Sequence, residues 1–158
     1  MQLQMTIWSI SSAPLFMSTH VPSIHNDSKA ILLNRGALAI NADPLGRMPF
    51  RYASNATGEG VDLWRKELAG GEVALAVVNM GANNLTSGSA ALILDLLDAG
   101  FSPDTRVSVH DVFEEKDMGW HSGQFRLPRA LPTHSAVLLR LSYSPQYSRK
   151  VEGWQREL

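Results

Sequence analysis

The sequence has no cysteine, which removes disulfides, thiolate nucleophiles and thiolate metal sites together and leaves the redox compartment open. It also has almost no net charge. Fourteen Lys and Arg against 15 Asp and Glu leave −1, so no broad field favours nucleic acid or an anionic membrane surface as partner. Long apolar runs are missing too. The opening stretch MQLQMTIWSISSAPLFM lacks a basic leader, and Gln, Thr and Ser interrupt its apolar positions, so it reads as neither a signal peptide nor a membrane span. No Gly-x-Ser-x-Gly elbow, no HExxH arrangement, no internal repeat and no low-complexity segment occurs. His20, His25, His110, His121 and His134 are scattered, without the compact spacing that metal ligation needs, and no metal or cofactor is expected.

What is present is ordinary globular material: 158 residues, 44% hydrophobic and 18% charged, enough for one sizeable core or two small units. Leu3, Ile7 and Ile10 recur at helical spacing with Met1, Met5 and Trp8 on an adjoining stripe, which predicts a widely buried helix over 1–12. No capping residue precedes it, as expected for a chain cut from a longer protein. Pro14 ends the helix. Leu15, Phe16 and Met17 then read as a short strand covered on both faces, with Ser18, Thr19 and His20 at its carboxyl end. A second helix is predicted over 23–34, with Gly36 in the left-handed position beyond its end. Helix, buried strand, helix is the pattern of a parallel α/β unit.

The stretch ALAINADPLG runs four apolar residues into Asn41, Asp43, Pro44 and Gly46. A proline pushes the residue before it out of helical geometry, and Asn and Asp side chains bond nearby backbone amides, so Asp43 reads as a turn device and not as an acid. Beyond it the pattern changes to β. Alternating segments at 50–53, 61–68, 73–80, 90–94, 106–113, 124–131 and 136–143, separated by Gly, Asn, Asp or Pro, predict an antiparallel sandwich or open barrel over 47–143. His134 follows the turn residues Pro132 and Thr133. It is expected to be structural, donating a ring N–H to a neighbouring carbonyl at the start of the last strand. The acidic run DVFEEKDMG, from Asp111 to Gly119, reads as a solvated hairpin loop. The tail 144–158 is polar. Three sequons, at Asn26, Asn55 and Asn84, lean toward a secretory route.

The order of three segments is more specific than any one of them: QMTIWSISSAPLFMSTH, then INADPLG, then HDVFEEKDMGWHSGQFRLPRALPTHSAVLLRL. It closely resembles the last part of the α-galactosidase and α-N-acetylgalactosaminidase family of glycoside hydrolases. The family pattern runs Q-M-x-x-W-x-x-x-x-A-P-L-x-M-S-x-D-L, I-N-Q-D-P-L-G, and R-D-L-W-x-x-x-D-L-G with V-P-x-H-G-V-V-L-L-x-L. Residues 4–46 and 110–141 carry the match, while 47–105 follow it in strand rhythm. His20 departs from the family's Asp and Ala42 from its Gln.

The resemblance implies an α/β plus all-β fold in which residues 1–46 are the last helix, strand and helix of an eight-stranded (β/α) barrel and 47–143 are an antiparallel β-sandwich. It implies a retaining hydrolase of terminal α-galactosyl or α-N-acetylgalactosaminyl residues, secreted or lysosomal or vacuolar, with homodimerisation as one option for the whole enzyme. Such an enzyme needs two carboxyl groups roughly 5 Å apart, a nucleophile and a proton donor. The family draws both aspartates from earlier barrel strands, so no catalytic residue is assigned to this chain and an N-terminal barrel is its expected partner. Ser18, Thr19 and His20 are the candidates for the barrel rim. Asn41, Asp43, Pro44 and Gly46 mark the hand-over between domains. The alternative is a free-standing carbohydrate-binding or interaction module using Tyr52, Trp64 and Trp120.

Overall fold

The computed structural model describes residues 1–53, 60–85 and 92–143; the predicted tail lies outside them, as do Asn55 and residues 90–91 of one predicted strand. Eight strands are present among the described residues: β1 (Phe50–Ala53), β2 (Val61–Glu67), β3 (Val73–Asn79), β4 (Ile93–Asp95), β5 (Val107–Asp111), β6 (Lys116–His121), β7 (Gln124–Arg126) and β8 (Ser135–Tyr143). Six form one antiparallel sheet in the order β1-β2-β3-β8-β5-β6, and β4 pairs with β7 in a second. The register follows the alternation of the sequence. Leu63, Leu75, Val77, Val137, Leu139 and Val109 point inward, where they meet Leu94, Phe125 and Leu127 from the second sheet's side.

The central strand β3 is buried along its whole length, so its outer face must also be covered. Ala74, Ala76 and Val78, with Ala136 and Leu138 of β8, face a second apolar cluster built on Met5, Ile10, Ala37 and Ile40. Those residues come from α1 (Gln2–Ile10) and α3 (Arg35–Asn41). Small side chains on β3 let the helices approach the sheet closely. The N-terminal segment is therefore one wall of the molecule's packing.

That segment departs from expectation in three ways. Residues 15–17 form no strand: Phe16 is 85% and Met17 57% exposed, and no ladder partner lies beside them among the described residues. An apolar run without a neighbour to hydrogen-bond has no reason to become a strand. The helix expected over 23–34 is shorter, a 3₁₀ turn at Val21–Ser23 followed by α2 (Asn26–Leu32), because Asn34 leaves the helix to cap the next one. Its Oδ1 accepts the N–H of Ala37 at 2.8 Å while its Nδ2 donates to the carbonyl of Val112 at 2.9 Å. Gly36 accordingly lies inside α3 and not in a left-handed cap. Its reason is space, since a Cβ there would stand 2.9 Å from Cγ1 of Val112.

In the β-domain the acidic run is less of a loop than expected. Residues 112–115 make the turn, with Glu115 at φ +51°, and Lys116 begins β6, a strand that the charge pattern concealed. The segment expected over 124–131 stops at Arg126; Leu127 still bonds Leu92, and Leu131 forms a bridge with Leu85 on either side of Pro128.

Candidate functional site

Ser18, Thr19 and His20 lie on an exposed stretch before the 3₁₀ turn. His20 Nδ1 is 2.8 Å from Ser23 Oγ, a local contact within one turn. Among the described residues no hydrogen bond or ion pair joins them to a carboxylate.

The hand-over motif is tightly built. Asn41 Nδ2 donates to the carbonyls of Trp8 at 3.1 Å and Ala13 at 2.9 Å, which fixes the end of α1 against the end of α3. The carboxylate of Asp43 accepts the N–H of Leu45 at 3.1 Å, closing a turn that Gly46 completes at φ +58°. It also accepts the N–H of Ala69 at 3.0 Å, across the boundary between the two segments. Pro44 is exposed in the same turn. Asp43 thus staples the helices to the loop between β2 and β3.

Beside this staple is a residue that the sequence reading passed over. Lys66 on β2 is 0% exposed. Its Nζ donates to Ser12 Oγ at 2.6 Å and to the carbonyl of Ile40, both in the N-terminal segment. Burial pulls its pKa below the ordinary lysine range, and the Asp43 carboxylate opposes that shift. The only advance signal was its position: Lys66 stands on the face of an alternating strand opposite Leu63, where a helix-covered sheet leaves no water.

The acidic cluster separates into structural parts. Asp111 is 0% exposed and receives Arg129 at 2.7 Å, while Glu114 receives the same guanidinium at 2.8 Å. Burial pushes the Asp111 carboxyl up, against the backbone N–H of Glu114 and the charge of Arg129. The reading of this run as solvated fails at Asp111, because closing the turn over the sheet puts its first residue in the core. Asp117 accepts the N–H of Gly119 at 2.8 Å. Glu67 and Glu72 both line a cleft of about 570 Å³, but each is ion-paired, to Arg65 and Arg140 respectively. Among the described residues no group of three His, Asp or Glu is placed to hold a metal ion.

The aromatic residues do not converge either. Tyr52 is half-buried against the inner core, its hydroxyl buried and its pKa raised by burial above the ordinary tyrosine range. Trp64 packs on the helix side with Arg51 over its ring and, with Trp8, lines an apolar cavity of about 530 Å³. Trp120 is half-exposed on edge strand β6 with Arg106 over it. Four strand spacings separate β2 from β6, about 19 Å. His134 sits in the turn before β8 at φ +54°, and its Nδ1 is 3.0 Å from Thr133 Oγ1, where a carbonyl partner was expected.

Comparison with known proteins accounts for this arrangement of helices stapled over a sandwich. Residues 58–141 match the profile of the alpha galactosidase C-terminal beta sandwich domain, and residues 1–43 match that of alpha galactosidase A. Alpha-galactosidase A of Homo sapiens is 29% identical over 152 residues, 93% of this chain and 34% of that protein. Alpha-N-acetylgalactosaminidase of Gallus gallus is 32% identical over 113 residues, covering 72% and 26% of the two chains. Alpha-galactosidase I from Mortierella vinacea shares the fold with a TM-score of 0.79 at 23% identity, over 90% of this chain and 35% of that one. The chain spans about a quarter to a third of the length of these relatives. With more than half of its residues matched by one domain profile and the preceding helices by a second in the same order, the chain belongs to the α-galactosidase family of glycoside hydrolases.

Proposed function

We propose that this chain is the C-terminal part of a retaining α-galactosidase-type hydrolase acting on terminal α-galactosyl or α-N-acetylgalactosaminyl residues, with the catalytic carboxylates on a (β/α) barrel that precedes residue 1. The observation that carries the reading is an exposed apolar strip on the segment that matches alpha galactosidase A. Phe16, Met17 and Val21 are all more than half exposed there. Water is a poor cover for such a strip; parallel strands and helices of a barrel would bury it. In that setting Ser18, Thr19 and His20 fall at a strand's carboxyl end, the rim where barrel active sites lie. His20 would support rim loops there. The family and the three sequons favour a secretory route. Among the described residues no helix is long and apolar enough to cross a membrane.

Asp43, Asp111, Glu114 and Asp117 are each held by backbone or arginine partners, and the two that lie together, Asp111 and Glu114, are joined through the Arg129 guanidinium. The chain by itself is therefore expected to leave a chromogenic α-galactoside intact, while a fusion restoring an upstream barrel from a relative turns it over. Turnover by the 158-residue chain alone, lost on changing one of these carboxylates, would overturn the proposal. The module reading has less support, since its three aromatic residues occupy different faces and opposite ends of the sheet.

A further inference from the structure

We infer that Asn26 is an acceptor for an N-linked glycan, an inference that rests on the secretory route proposed above. Asn26-Asp27-Ser28 has the acceptor spacing with no proline between. The structure adds two independent observations. First, Asn26 opens α2 exposed, and its side-chain amide has no hydrogen-bond partner among the described residues. The residue just before a helix ordinarily caps it. Here His25 does so, its Nδ1 accepting the N–H of Asp27 at 3.3 Å, which leaves the Asn26 amide without structural duty.

Second, Asn26 sits at the edge of a shallow depression of about 430 Å³ lined also by Lys29, Leu33, Arg35 and Glu115. That wall offers two cationic donors, one carboxylate acceptor and an apolar side chain, the mixture that seats the hydroxyl and apolar faces of a sugar ring. The other two sequons differ. Asn55 and the threonine following Asn84 lie outside the described residues, and Asn84 Oδ1 already accepts the N–H of Thr133 at 2.8 Å.

The donor is a polyprenyl-diphosphate-linked oligosaccharide. The Asn26 Nδ2 forms a bond to C1 of the first sugar as the bond from C1 to the diphosphate oxygen breaks; the polyprenyl diphosphate leaves and the amide nitrogen gives up one proton to the transferase. No oxidation state changes.

The test is peptide mass spectrometry on the protein purified from the organism that makes it, after amidase release of N-glycans in heavy-oxygen water. Heavy-isotope aspartate at position 26, absent in N26Q and in S28A, is the expected result. An unmodified Asn26 overturns the inference. Translation of the chain behind a cleavable leader into microsomes separates the two ways to fail. Modification there but not in the source organism means that the secretory reading was wrong. No modification in either, with a glycan on Asn55 or Asn84, means that the secretory reading stands and the site was wrong.

Discussion

Gly36 shows how a residue's reason can differ from its usual one. In a helix, Gly to Ala ordinarily gains about 1 kcal/mol. At position 36 the added Cβ meets Val112 Cγ1 at 2.9 Å, and a β-branched side chain under α3 has little freedom to yield. Forced overpacking costs typically about 1–3 kcal/mol. Gly36→Ala should thus lower stability by about 1 kcal/mol in urea unfolding, and the same change in a Val112→Ala background should cost little or nothing. An unchanged midpoint in the first case would refute the steric account. Lys66 carries a pH prediction. Its folded pKa is depressed by burial below the ordinary lysine value of 10.5. Between those two values the unfolded chain holds a proton that the folded chain has shed, so stability rises with pH across that window and is lowest below it. Measured against Lys66→Met, which does not titrate, wild-type stability should gain as pH rises through the depressed folded-state pKa toward 10.5. A flat difference would mean that the ammonium is fully compensated by Ser12, the Ile40 carbonyl and Asp43.

At the scale of elements, what decides is the neighbour. Residues 15–17 carry the composition of a buried strand, yet among the described residues they have no ladder partner and only Leu15 packs on the outer core, because a strand is a property of a pair. Their amides should exchange with solvent within the fastest phase, while those of Val137 to Leu141 in β8, flanked by β3 and β5, exchange near the global unfolding limit. Equal protection in a verified monomer would contradict this. Strand β6 shows the converse. Its Lys116, Asp117 and Gly119 read as loop, and it forms because the turn at 112–115 places it beside β5. Edge position explains its polarity, since charges on an edge discourage further pairing.

The molecule as a whole has two cores on one sheet, an inner one shared with β4 and β7 and an outer one under α1 and α3. Because β3 contributes to both, loosening the helices uncovers Ala74, Ala76 and Val78 at once. Removal of residues 1–46 should therefore expose a flat apolar sheet face and drive association; light scattering on a chain beginning at Arg47 would detect it. A soluble monomer from that truncation would show that the helices are dispensable cover. The full chain retains its own exposed apolar stretch at Phe16, Met17 and Val21, which should bind a hydrophobic dye that restored barrel contacts displace.

Most strands of the β-domain and the turn at Asp43 were legible in the sequence, because period-two burial and Asn-x-Asp-Pro turn chemistry act over a few neighbouring residues; the family was legible only as a resemblance carried by the order of three segments. Seven of the segments expected as strands contain one, and Asp43 accepts the amides that a turn device should. What only the tertiary structure decided depends on groups far apart in the chain. Lys66 meets Ser12 and Ile40, Asn34 meets Val112, Asp111 meets Arg129, and Asp43 reaches Ala69. Whether residues 15–17 pair, and whether a carboxylate faces solvent or a guanidinium, is set by what the fold brings alongside, and local pattern holds no record of that.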